Sequence, residues 1–281
     1  ALQERVAGGG GSRMMVLTND LALTLNELGR YQEAAEMLSR ADKAVADIGL
    51  GKIDKAISWV NRAGTLENAG DYEATLKALD TAIALLDEDH VEAENQVRRR
   101  IERSQARTFG LVGRHEEAWR ILSDLRQRCR RIEGEDSGEY AMITWQLALL
   151  AGRMKDPARG LPLLDEAERL WSALVPPAHQ VFAHILRVRA GFAIAKGDYA
   201  DADRMLGQAI AAFEAHASSA VDLAIARSEL AELREREQRP AEARELLARA
   251  MPVLRSTVLP AEVSRARAER LASRLGFKAT P

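Results

Sequence analysis

Small and aliphatic residues recur at i, i+3 and i+4 through most of this chain, and short polar turns break the pattern at regular intervals. At 3.6 residues per turn those positions share one face, so the pattern predicts amphipathic helices and not strands. The helices fall into pairs, roughly 14–28 with 31–48, 52–69 with 72–87, and 92–111 with 115–132. Three more follow, roughly 139–153 with 158–174, 178–195 with 199–215, and 219–236 with 240–255. An Arg-rich amphipathic segment over 260–275 has no partner after it and predicts a solubilising cap. Pro176-Pro177, Pro240 and Pro260 sit where helices are expected to begin, positions at which a missing N–H costs nothing.

The turn inside each pair repeats one phrase. It is clearest at Leu28-Gly29-Arg30-Tyr31, Ala69-Gly70-Asp71-Tyr72, Val112-Gly113-Arg114-His115 and Lys196-Gly197-Asp198-Tyr199. Weaker copies stand at Lys155-Asp156-Pro157 and Gln238-Arg239-Pro240. With the turn residues 29, 70, 113, 155, 197 and 238 in register, the steps are 41, 43, 42, 42 and 41 residues. A steady period of this size predicts a solenoid, in which each pair buries its apolar face only by stacking on its neighbours. Ala22, Ala63, Ala106, Ala148, Ala190 and Ala231 recur in the first helices, where small side chains allow close helix packing.

Composition agrees with an all-α chain: of 281 residues only 5% are aromatic, while Ala, Leu, Glu and Arg, all good helix formers, are abundant. With 40 basic against 42 acidic residues there is no global field to draw nucleic acid or an acidic membrane surface, and neither is expected as a partner. The one cysteine, Cys129, can form no internal disulfide and belongs to no CxxC metal site, which suits a reducing compartment; the cytoplasm is expected. No apolar run approaches the roughly 18 residues of a membrane span, and residues 1–6 lack the character of a signal peptide. The run Gly8 to Ser12 reads either as an engineered flexible linker or as a native loop after the end of a preceding second helix. The expected organisation is 1–7 as that helix end, 8–12 as the loop, 13–259 as six repeats, and 260–281 as cap and tail.

The Gly-x-Tyr-x-x-Ala turn, the first-helix alanine and the late second-helix alanines Ala41, Ala82, Ala167, Ala209 and Ala250 resemble the tetratricopeptide repeat family over nearly the whole chain. The period near 42 is similar to that of the kinesin light chain subgroup. Bacterial serine/threonine kinases and transcriptional regulators with tetratricopeptide sensor regions carry similar arrays, and the Ala- and Arg-rich usage looks like that of a high-GC bacterium. The resemblance implies an all-α, right-handed α-solenoid of six helix pairs with a C-terminal capping helix. The departures are His115, Pro157 and Pro240 at the aromatic position and Gly160 at an alanine position.

Catalytic signatures are absent: no phosphate-binding GxxxxGK[ST], no HExxH zinc helix, no GxSxG elbow. The histidines are scattered through different repeats, and Asp87-Glu88-Asp89 and Glu133-Gly134-Glu135-Asp136 read as solvated turns more readily than as cation sites. No enzymatic activity, cofactor or metal is expected.

The resemblance implies that first helices line a concave groove, so their faces turned away from the second helices are the candidate contacts. Asn19 with Asn26 and Asn61 with Asn68 each share such a face, and an asparagine amide can hold the backbone of an extended peptide whatever its sequence. Arg100, Arg103 and Arg107 at i, i+3 and i+7 form one basic face suited to carboxylate or phosphate. Trp145 and Arg153, then His184 and Arg187, continue the wall, with Trp145 expected as an exposed aromatic anchor and Trp59 as core. Ordinary polar surface is the competing reading for the asparagines, and a solvated face balanced by Glu92, Glu94 and Glu102 for the arginines. The function expected is a non-catalytic module binding a protein or extended peptide of acidic or phosphorylated character, in the sensor or adaptor region of a bacterial signalling protein such as a serine/threonine kinase. The alternatives are a small-molecule-sensing regulatory domain and an oligomerisation scaffold.

Overall fold

The computed structural model describes residues 51–68, 70–215, 220–257 and 263–277, together with 17, 18, 20–22, 24, 25, 30, 33, 34 and 36–38. Residues 1–16, Asn19, Asn26, Ala41 and Pro260 lie outside the described residues. Helices run over α1 Lys52–Asn68, α2 Tyr72–Glu88, α3 Gln96–Leu111, α4 His115–Ile132, α5 Gly138–Met154 and α6 Pro157–Leu174. They continue as α7 Val181–Lys196, α8 Tyr199–Glu214, α9 Ala220–Arg236, α10 Pro240–Thr257 and α11 Val263–Arg274. Among the described residues there is no strand. The chain forms two compact units, Ala1–Ile121 and Leu122–Pro281, with the boundary inside α4.

Turn chemistry fixes the pairing. Gly70, Gly113 and Gly197 take left-handed backbone angles (φ 79°, 86° and 88°), and so do Lys155 and Gln238 (φ 56° and 61°) where the sequence departs from glycine. In every described turn the next N–H reaches back five residues: Asp71 to Leu66, Arg114 to Phe109, Asp156 to Ala151, Asp198 to Ala193 and Arg239 to Arg234, at 2.8–3.0 Å. The bond Arg30 to Leu25 repeats it in the first pair. This closure satisfies carbonyls that a helix end leaves unpaired. The second helix then begins two residues after the left-handed residue each time, at Tyr72, His115, Pro157, Tyr199 and Pro240. Proline replaces the aromatic residue here without cost, because the first helical N–H has no partner to lose. After the left-handed residue, Asp71 and Asp156 cap the next helix through their side chains, Asp198 makes no side-chain cap bond, and Arg114 and Arg239 each pair with the glutamate three residues on, as Arg30 does in the first pair.

Pro176-Pro177 is a correction: α7 begins at Val181, and the two prolines lie in the turn before it. α3 likewise starts at Gln96 rather than near 92, where Asn95 accepts from the N–H groups of Val97 and Arg98.

In the first unit α1, α2 and α3 close around Ala56, Val60, Ala63, Leu79, Ala82, Leu86 and Ile101. Trp59 packs against this cluster with the Arg62 guanidinium 5.0 Å from its ring centroid. In the second unit α7, α8 and α9 bury Ala190, Leu206 and Leu233, and α11 covers α9 and α10 through Ala268, Leu271 and Ala272. Placing the cap there hides Leu247, Met251 and Leu254 of α10.

One seam departs from the repeated pattern in size. Gly160 of α6 stands where Ala34, Ala118, Ala202 and Ala243 stand in other pairs, and the ring of Phe192 on α7 occupies the space of the missing methyl. Phe192 in turn replaces the smaller Thr65, Thr108, Leu150 and Leu233. A small residue and a large one have been exchanged across a single contact.

Candidate partner-binding face

Counted back from the turn residue, first-helix positions fourteen, twelve, seven and five are buried in all five described pairs. They include Ala56, Arg99, Ala141, Ala183 and Ala224 at the first of these, and the recurring alanines at the third. These positions fix which side of each first helix meets its partner. Residues at the intervening positions come to the edge where one first helix meets the next, and there the helices are tied by polar side chains.

In the first unit Arg100 of α3 donates from Nη2 to Asn61 Oδ1 of α1 at 3.1 Å. Two helical turns further, Arg107 Nε lies 2.7 Å from Glu67, a carboxylate only 8% exposed, and the Thr108 hydroxyl donates to the same group at 2.8 Å. In the second unit Arg187 of α7 makes a two-pronged bond to Glu229 of α9 at 2.8 and 2.9 Å, with Asp222 at 4.0 Å. His184 lies 3.8 Å from Asp222 and packs edge-on against Phe213, ring centroids 5.0 Å apart. Between α9 and α11, Arg267 pairs with Glu232, and Arg274 with Glu235.

The structure thus brings together Asn61, Arg100 and Arg107, and separately His184 and Arg187. Asn68 and Arg153 are exposed on the last turns of their helices. Asn19 and Asn26 lie outside the described residues. Trp145 is a correction. The indole is 9% exposed, because α5 is apolar nearly all round and buries Ile143, Trp145, Leu147 and Leu150 together. The acids Glu67, Glu229 and Asp222 were not read from the sequence as part of this face. Their signal was an opposite charge about one repeat away from an arginine, 40 residues for Glu67 and Arg107 and 42 for Arg187 and Glu229.

The acidic turns are used structurally: Asp87 takes Arg98 at 2.5 Å, Glu88 takes Lys52 at 3.3 Å, and Glu135 takes Arg130 at 2.5 Å. Cys129 is fully buried, 3.7 Å from the Ser137 hydroxyl. Among the described residues no three or more His, Cys, Asp or Glu side chains group as a metal site, and no helix is long and apolar enough to cross a membrane.

Burial lowers the His184 pKa from the ordinary histidine range, against the pull of Asp222 and with the push of Arg187; Glu229 and His179 act more weakly, up and down respectively. A lowered folded-state pKa means the fold favours neutral imidazole. Stability from this group is therefore fully present above the ordinary histidine value of about 6.5 and is lost as pH falls through the folded value. Urea unfolding at pH 7.5 and 5 is expected to show a larger loss in the native chain than in His184→Gln; equal losses would remove His184 as the cause.

No protein-family model matches the chain, and no curated protein matches its sequence. Solved structures do match. A Podosopora anserina kinesin light chain protein of nearly identical tetratricopeptide-like repeats aligns at TM-score 0.56 and 18% identity, over 72% of this chain and 95% of that one. A Rap protein solved in complex with competence and sporulation factor aligns at TM-score 0.65 and 14% identity, over 94% and 74%. The Cut9–Hcn1 hetero-tetramer of APC/C gives 0.55 and 14%, over 95% and 46%. The fold is an α-solenoid of tetratricopeptide-like helix pairs. Residues tying one first helix to the next are thus part of a repeated architecture and not of an isolated cleft.

Proposed function

We propose that the chain is a protein-interaction module that binds a partner protein or extended peptide across the faces of its first helices, as the sensor or adaptor region of a bacterial signalling protein. The observation that carries this is the polar stitching of consecutive first helices, α1 to α3 in one unit and α7 to α9 to α11 in the other. It holds side chains in place before any partner arrives, so association forgoes much of the ordering cost. Openings exist on the same face: a side chain built at Gly64 of α1 or Gly191 of α7 meets nothing within 4 Å. The Rap structure with its factor and the Cut9–Hcn1 assembly are complexes built on this fold, which supports the reading.

The test is site-specific photocrosslinking to a peptide selected from a random library for binding to the chain. A benzophenone side chain at Gly64 or Gly191 is expected to capture the peptide, whereas the same group at the exposed second-helix positions Lys77 or Arg204 is not. Capture from Lys77 and Arg204 alone would move the binding surface to the second helices.

A further inference from the structure

We propose that a second copy of this chain docks on the ends of α4 and α6, giving a two-fold dimer through a surface separate from the first-helix face. Ile132 and Leu174 are the last residues of these two second helices, each 18 residues long, and they stand 42 residues apart in the sequence, one full repeat. The helices run side by side, since Arg126 of α4 reaches Glu166 of α6 at 2.5 Å. Their ends therefore come to the same edge of the unit, where Ile132 is 45% and Leu174 42% exposed. The turn after α6 extends this apolar edge. Pro176 and Pro177 are exposed there, and the His179 N–H, bonded to the Pro176 carbonyl at 2.9 Å, holds the turn. The other described second helices end on Glu88, Glu214 and Thr257, so the apolar edge is confined to this place.

Charge decides what covers the edge. Arg131 and Asp136 stand on either side of Ile132 in the chain, both exposed, and among the described residues neither has an ion pair within the fold. Their neighbours are already matched, Arg130 with Glu135 and Arg128 with Asp124. A partner of one sign would satisfy one of the two charges and repel the other. A second copy related by a two-fold axis satisfies both, because Arg131 of each copy meets Asp136 of the other. The net charge of −2 sets little repulsion against such self-association. Docking also orders little, since two prolines and a hydrogen-bonded turn already fix part of the apolar edge. With so few apolar anchors the dimer is of the weak, reversible kind, governed by concentration.

Sedimentation velocity of the full chain over a wide concentration range tests this. The mass is expected to rise with concentration from 30.9 kDa towards twice that value. Ile132→Gln together with Leu174→Gln is expected to raise the dimer dissociation constant about tenfold or more, with the unfolding midpoint unchanged because both side chains are already exposed. Arg131→Glu and Asp136→Arg are each expected to weaken the dimer as well, since each sets like charges against one another. Mixed in equal amounts, these two single variants are expected to associate again, because every facing pair is then of opposite sign. A contact made within one chain could not be repaired in this way. Arg270→Glu, on the exposed side of α11, is the control and is expected to leave the mass unchanged. A mass of 30.9 kDa at every concentration, a dimer indifferent to the Ile132 and Leu174 changes, or a mixture that stays monomeric overturns the proposal. Loss of the dimer through Arg270→Glu alone does so too, by moving the interface to the cap. Peptide capture at Gly64 or Gly191 is expected to be equal in the monomeric variants and the native chain, so the two surfaces stand or fall separately.

Discussion

Gly160→Ala is expected to destabilise the unit Leu122–Pro281 by about 1–3 kcal/mol, the usual range for overfilling a packed interior. The added Cβ would lie 2.2 Å from Cζ of Phe192 and 2.9 and 3.0 Å from its two Cε atoms, separations that real side chains do not tolerate. The ring has little room to retreat, because Phe192 is 2% exposed. A relaxed partner should absorb the methyl. Adding Phe192→Leu, the residue type found at Leu150 and Leu233, is expected to recover most of the loss, so the two substitutions will be strongly non-additive in urea unfolding. Gly160→Ala alone without effect would mean that the α6–α7 seam is looser than the structure shows.

Glu166→Ala is expected to cost about 2–3 kcal/mol, below the range for a fully buried pair because both charges keep some contact with water. Glu166 joins three helices. It accepts from Arg126 of α4 at 2.5 Å and from the Tyr140 hydroxyl of α5 at 3.1 Å, while Arg126 also donates to Thr144 at 3.0 Å and lies over the Tyr140 ring. Removing the carboxylate leaves a half-buried guanidinium without its counter-charge and a buried phenol without its acceptor. Glu166→Gln keeps an acceptor oxygen and is expected to lose about half as much. The exposed pair Arg249–Glu245 serves as the contrast, since its removal should leave the unfolding midpoint where it is. A Glu166→Ala chain as stable as that control would show that the cluster follows the packing and does not hold it.

Helices and turns were legible because their causes are local. Left-handed glycines, N-cap aspartates and first-position prolines act within a few residues of themselves, so residue 113 or 197 announces its turn without reference to the rest of the chain. Even Lys155 and Gln238 were placed correctly, since the period demanded a turn there, and the backbone adopts it at a strain the neighbouring pairs sustain.

The candidate site was legible only in part. Arg100 and Arg107 were recognised by spacing on one helix, but spacing alone does not distinguish an arginine neutralised by Glu67 from one bonded to Asn61. That difference depends on which residue of α1 faces which residue of α3, and a shift of one position along either helix turns a side chain by about 100° away from its partner. Trp145 was misplaced for the same reason, because α5 is apolar on both sides and its periodicity does not say which side a neighbour covers. Period and turn chemistry act along the chain and fixed the elements and their order. The allocation of charges to one another, the burial of Trp145 and the exchange of Gly160 for Phe192 depend on side chains about one repeat apart, and only the packing of one helix pair on the next brings those within reach.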